Sequence, residues 1–92
     1  MIKMPYIKSE DRIQYYETIL KLVNLLEKTP EEDRDGHINY VVTVLLKNLY
    51  DPPKYSRYNK AIGVLECIKL EFYRRMVSPY EDIKIKENGD VE

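Results

Sequence analysis

The 92-residue sequence predicts an all-α fold, a three-helix bundle with an extended N-terminal arm and a C-terminal tail patterned for a short β-hairpin. Three observations predict it. Three stretches repeat apolar residues at i, i+3 and i+4, the period of an amphipathic helix. Capping residues and prolines bound each stretch. Hydrophobic residues make up 43% of the chain, too many for a disordered one, and the length fits a single domain over residues 1–92.

Residues 1–8 read as the arm, because Pro5 forbids an early helix and pushes Met4 toward extended backbone. Helix one is predicted over about 10–28. Ser9 is placed to cap it, Glu10 and Asp11 suit its first turn, and Lys28 suits its last. Its apolar arc holds Ile13, Tyr16, Leu20 and Val23, with Ile19, Leu22 and Leu26 beside them. Thr29-Pro30-Glu31-Glu32 has the pattern of a helix start, which Asp33-Arg34-Asp35-Gly36 interrupts, so one short turn and a break are expected there. Helix two then spans about 37–50, capped by Asp35. Ile38, Val41, Val42, Leu45, Leu46 and Leu49 form its stripe, and Asp51-Pro52-Pro53 ends it.

Helix three is predicted over about 57–77, capped by Ser56 and stopped by Ser78-Pro79. It carries two apolar stripes. One is Ala61, Leu65, Ile68, Phe72 and Met76, and the other is Ile62, Leu70, Tyr73 and Val77. Together they cover more than half of the helix, and a helix apolar on both sides is buried on both sides. Two companion helices in one small chain can cover only one of them. A homo-oligomer, dimer or higher, joined through helix three is therefore expected. Gly63 in mid-helix fits a close backbone approach there, since it costs about 1 kcal/mol against Ala. In the tail, residues 80–92, Asp82-Ile83-Lys84-Ile85-Lys86 alternates with period two and Asn88-Gly89 is a hairpin signal. Only three residues follow that turn, so the tail reads either as an arm against a partner subunit or as a frayed end.

Composition excludes several functions. Lys+Arg is 15 and Asp+Glu 16, so the chain lacks the basic excess that phosphate-backbone binding needs, and nucleic acid is not an expected partner. Apolar runs are too short for a membrane span, and the start lacks the apolar core of a secretory signal, so a cytoplasmic location is expected. One cysteine and one histidine rule out an internal disulfide and a cysteine-based zinc site, and no cofactor or metal is expected. Nine tyrosines against one phenylalanine and no tryptophan suit half-wet places such as interfaces and clefts.

Candidate chemistry is sparse, and no catalytic set stands out. His37 with Glu31, Asp33 and Asp35 could hold a cation, but such residues in a loop are usually just solvated. Cys67 lacks a partner base and packs as a small apolar group. Glu66 falls within the second stripe, where a carboxylate must be paired, and Lys69 stands three residues on. The plainer reading is an intrahelical ion pair; the sharper one is a polar anchor of an inter-subunit pocket with Asn39 or Tyr40. Asn39 and Thr43 offer hydrogen bonds on helix two. Tyr50, Tyr55 and Tyr58 around Lys54 and Arg57 could stack a base, or simply pack on Pro52 and Pro53. Arg74 and Arg75 suit a helix end, where Glu81 and Asp82 can pair with them.

Several segments resemble a domain-of-unknown-function family of short bacterial, archaeal and phage proteins. They are Met4 to Lys8, Glu10-Asp11-Arg12, Gly36 with Ile38-Asn39-Tyr40 and Thr43, Ala61 to Arg75, and Pro79 to Val91. His37 and the 51–56 loop depart from the family pattern. The resemblance implies a small free-standing domain in a phage or mobile-element setting, and no activity. The expected function is thus a homo-oligomeric helical binding or interaction protein, not an enzyme. The alternative is a nucleotide-like small-molecule binder with an inter-subunit pocket of Asn39, Tyr40, Tyr58, Glu66, Arg74 and Tyr80. A small hydrolase is third.

Overall fold

The computed structural model describes residues 6–91; most of the predicted arm, residues 1–5, lies outside them. The described residues are all-α, and the three predicted helical stretches are present as α1 (Ser9–Glu27), α2 (Glu31–Leu49) and α3 (Tyr55–Phe72). A π-helical segment, Tyr73–Val77, then leads into α4 (Ser78–Asn88). The chain divides into two units, Met1–Asp51 and Pro52–Glu92.

The first unit is a pair of helices joined by Lys28-Thr29-Pro30. Lys8, extended at φ −65° and ψ 151°, takes the position before α1 and makes no side-chain cap bond, so Ser9 is the first helical residue rather than the cap. Arg12 instead ties the preceding backbone to the first turn, donating from Nε and Nη2 to the Ile7 carbonyl at 3.2 and 3.1 Å. The predicted break at 33–36 does not occur. α2 begins at Glu31 directly after Pro30, and Asp35 is an interior residue, not a cap. Two causes outweigh the cost of an interior glycine. Glu31, Glu32 and Asp33 sit in the first turn, where the helix dipole favours anions. Arg34 Nη2 also donates back to the Glu27 carbonyl at the end of α1 and the Thr29 carbonyl in the connector, at 3.4 and 3.1 Å. Burial in this unit is uneven. Leu22, Leu26, Val41, Val42 and Leu46 are half-buried, whereas every residue from Ser9 to Leu20 is exposed.

The second unit is one continuous helix over residues 55–88. Lys54 holds the position before it, so the predicted cap Ser56 lies inside the first turn. Ser78-Pro79 was expected to stop the helix and does not. Phe72, Tyr73, Val77 and Ser78 all keep right-handed helical dihedrals. A proline in a helix interior lacks the N–H that would reach the fourth residue back, and its ring crowds that residue's carbonyl. Here the turn before it widens: the Ser78 N–H bonds to the Tyr73 carbonyl, five residues back. The widened turn carries the helix past Pro79.

The predicted β-hairpin is likewise replaced by helix. Residues 82–86 lie within α4, and Gly89 ends it at φ 87°, its N–H on the Ile85 carbonyl at 2.8 Å. Asn88-Gly89 is therefore a helix C-terminal signal, the other place where glycine's positive φ is needed. Lys84 supports the helix twice, pairing with Glu87 at 3.2 Å and lying 5.5 Å from the Tyr80 ring centre.

Arg34→Ala should lower stability by about 1–2 kcal/mol, the scale of a charge-assisted hydrogen bond, in urea unfolding at fixed protein concentration. Arg34→Lys should recover only part of it, because an ammonium lacks the planar fork.

Candidate functional site

Among the described residues, Ala61 alone is buried, so the candidate site is sought on exposed faces. The longest such face runs along the second unit. Its stripe starts at buried Ala61 and half-buried Leu65 and is exposed from Ile68 through Phe72 and Met76, in steps of three and four residues that Tyr80 and Ile83 continue. Three successive steps of four, Ile68 to Phe72 to Met76 to Tyr80, would run ahead of the stripe on an α-helix. The wider π turn absorbs that advance, so the stripe stays in line past Pro79. Exposure agrees: Ile68, Phe72, Met76, Tyr80 and Ile83 stand at 54%, 62%, 60%, 59% and 54%. The second stripe is open too, with Ile62 at 64% and Leu70 at 57%.

Polar side chains flank these stripes and are mostly paired along the helix. Glu66 meets Lys69 at 3.1 Å, the plainer of the two readings for that carboxylate. Glu71 takes Arg74 Nη2 at 2.8 Å on one oxygen and Arg75 Nε on the other. The Tyr73 hydroxyl donates to Glu81, eight residues on, bridging the π segment. That hydrogen bond, and then the negative charge of Glu81, raise the Tyr73 phenol above its ordinary value.

The six residues chosen as a ligand pocket fall on both units. On α2, Asn39 Oδ1 accepts from the Thr43 hydroxyl at 3.3 Å, and Tyr40 is exposed. On the other helix, Tyr58, Glu66, Arg74 and Tyr80 stand exposed in turn. Tyr58 and Tyr80 are separated by roughly 33 Å of helix at 1.5 Å per residue, so that helix alone does not gather them. Gly63 has open space where a side chain would begin. Among the described residues no group of three or more His, Cys, Asp or Glu is placed to hold a metal, and no helix is long and apolar enough to cross a membrane.

Sequence reasoning missed a groove in the first unit. It measures about 350 Å³ and lies between Leu22, Leu25 and Leu26 of α1 and Gly36, His37, Tyr40 and Val41 of α2, beside Thr29. Its signal was hidden by the expected break at Gly36: with α2 continuous, Gly36, Tyr40 and His37 share its first turns with Val41.

A family model described as "Domain of unknown function (DUF6899)" matches residues 4–91. The chain belongs to this family. Neither a curated protein nor a solved structure matches it. The DUF6899 match spans both units.

The Tyr73–Glu81 bond gives this DUF6899 chain a pH signature. A phenol whose folded pKa is raised contributes stability that is whole below the unfolded value near 10 and is lost as pH rises through the folded one. Far-UV ellipticity should therefore fall above about pH 10, and Tyr73→Phe should be less helical at pH 7 and flatter across that range.

Proposed function

We propose that the protein is a homo-oligomeric helical interaction protein, dimer or higher, whose copies pair through the continuous helix of residues 55–88. One observation carries this reading: the strip from Ile68 to Ile83 is evenly exposed over its whole length. A soluble monomer rarely leaves so large an apolar patch in water, and such patches mark interaction sites. A helix also gains most of its stability from packing an apolar face, which no other element of its own unit supplies. Phe72, Tyr73 and Tyr80 add aromatic area of the kind that dominates interfaces. The proposed role is binding, with no reaction assigned.

Size-exclusion chromatography with light scattering should give a multiple of 11.0 kDa. Phe72→Asp should raise the dissociation constant at least ~100-fold, as expected for an aromatic anchor worth about 3 kcal/mol. Gly63→Ala separates helix stability from assembly. Its Cβ meets nothing within one chain, so Ala should stabilise an isolated helix by about 1 kcal/mol. If copies approach closely at Gly63, the same change should weaken assembly.

A further inference from the structure

We propose that the groove between α1 and α2 is a docking site for a cationic amphipathic helix of a partner protein. This surface belongs to the first unit, and the proposal does not rest on self-pairing through the helix of the second.

The groove is apolar, with leucines on one side and Val41 on the other. Gly36 lines it from inside α2, where glycine costs about 1 kcal/mol against Ala. A Cβ at Gly36 would meet no atom within 4 Å, so the fold of the unit does not require glycine there. What the missing side chain leaves is room. The groove is also open: Leu25 is 64% exposed and Tyr40 69%. Small molecules bind where most of their surface is enclosed, and this site cannot enclose one. An apolar groove between two helices fits the ridge of a third, anchored at i, i+3 and i+4.

Charge chooses among helices. Residues 27–35, which join the groove-lining segments of α1 and α2, carry five carboxylates (Glu27, Glu31, Glu32, Asp33 and Asp35) against two cations, Lys28 and Arg34. Arg34 Nη2 is engaged on backbone carbonyls. All five acids are exposed, and none forms an ion pair among the described residues. The first-turn acids of α2 also favour its dipole, but Glu27 stands at the C-terminus of α1, where an anion is unfavourable. An apolar floor beside an acidic rim complements a helix with an apolar ridge and basic flanks.

The test titrates the full-length protein into two labelled peptides of about 18 residues, five helical turns, and reads fluorescence polarisation. One peptide is an amphipathic Leu/Lys helix and the other its Leu/Glu counterpart. The Leu/Lys peptide should bind at least ~10-fold more tightly, with affinity falling as salt rises. Gly36→Leu, which fills the groove, should weaken that binding at least ~10-fold. Should Gly36→Leu fail to fold, Leu25→Lys, at an exposed position, makes the same test. Equal binding of both peptides would overturn the charge assignment. Undiminished binding to the groove variants would overturn the site. A groove variant that lowers the protein's own assembly mass would show that a second copy fills the groove, which also overturns the proposal. None of these outcomes bears on whether Phe72→Asp breaks self-pairing.

Discussion

The second unit is governed by how little a helix can do to hold itself together when its own unit supplies no other element to pack against. Residues 55–88 form one helix, and no other element of their unit packs against it. Its ion pairs, Glu66–Lys69, Glu71 with Arg74 and Arg75, and Lys84–Glu87, are largely exposed. Such pairs contribute about 0.2–0.5 kcal/mol each. An isolated helix is marginal in water even with good helix formers, and this one contains Gly63 and Pro79 in its interior. The proposed self-pairing draws on the apolar strip, whose burial would add stability on a larger scale than these ion pairs.

The π segment gives that strip its length. Without it, Pro79 would end the helix, and Tyr80 and Ile83 would leave the line of Phe72 and Met76. With it, the chain passes the proline with one widened turn. Tyr73 and Glu81 brace that turn from outside. Local backbone chemistry and the proposed assembly are thus joined at one place: the feature that rescues the helix also aligns its apolar face.

Much of this was legible in the sequence. The 3.6-residue periods around Leu20, Val41 and Leu65 mark the three helical stretches, and the excess of apolar circumference on helix three is visible in the residues alone. The Glu66–Lys69 pair follows from spacing. The failures share a cause, which is that punctuation was weighed residue by residue. Asp35-Gly36 resembles a break until Arg34 is seen tied to the end of α1, a contact made across the turn. Pro79 resembles a stop because its compensation is a five-back hydrogen bond that no propensity encodes. Asn88-Gly89 serves a hairpin and a helix terminus equally well, and five alternating residues are too few to decide between them. The groove escaped notice because it depends on α2 running unbroken through Gly36. The six candidate pocket residues lie on both units, Asn39 and Tyr40 on α2 and the other four along the helix of residues 55–88.

Sedimentation equilibrium and far-UV circular dichroism on the same dilution series test self-pairing most directly. If the helix of residues 55–88 is held by a second copy, mass and helicity fall together as the protein is diluted toward a monomer. A monomeric mass with undiminished helicity and a cooperative melt at every concentration would contradict it.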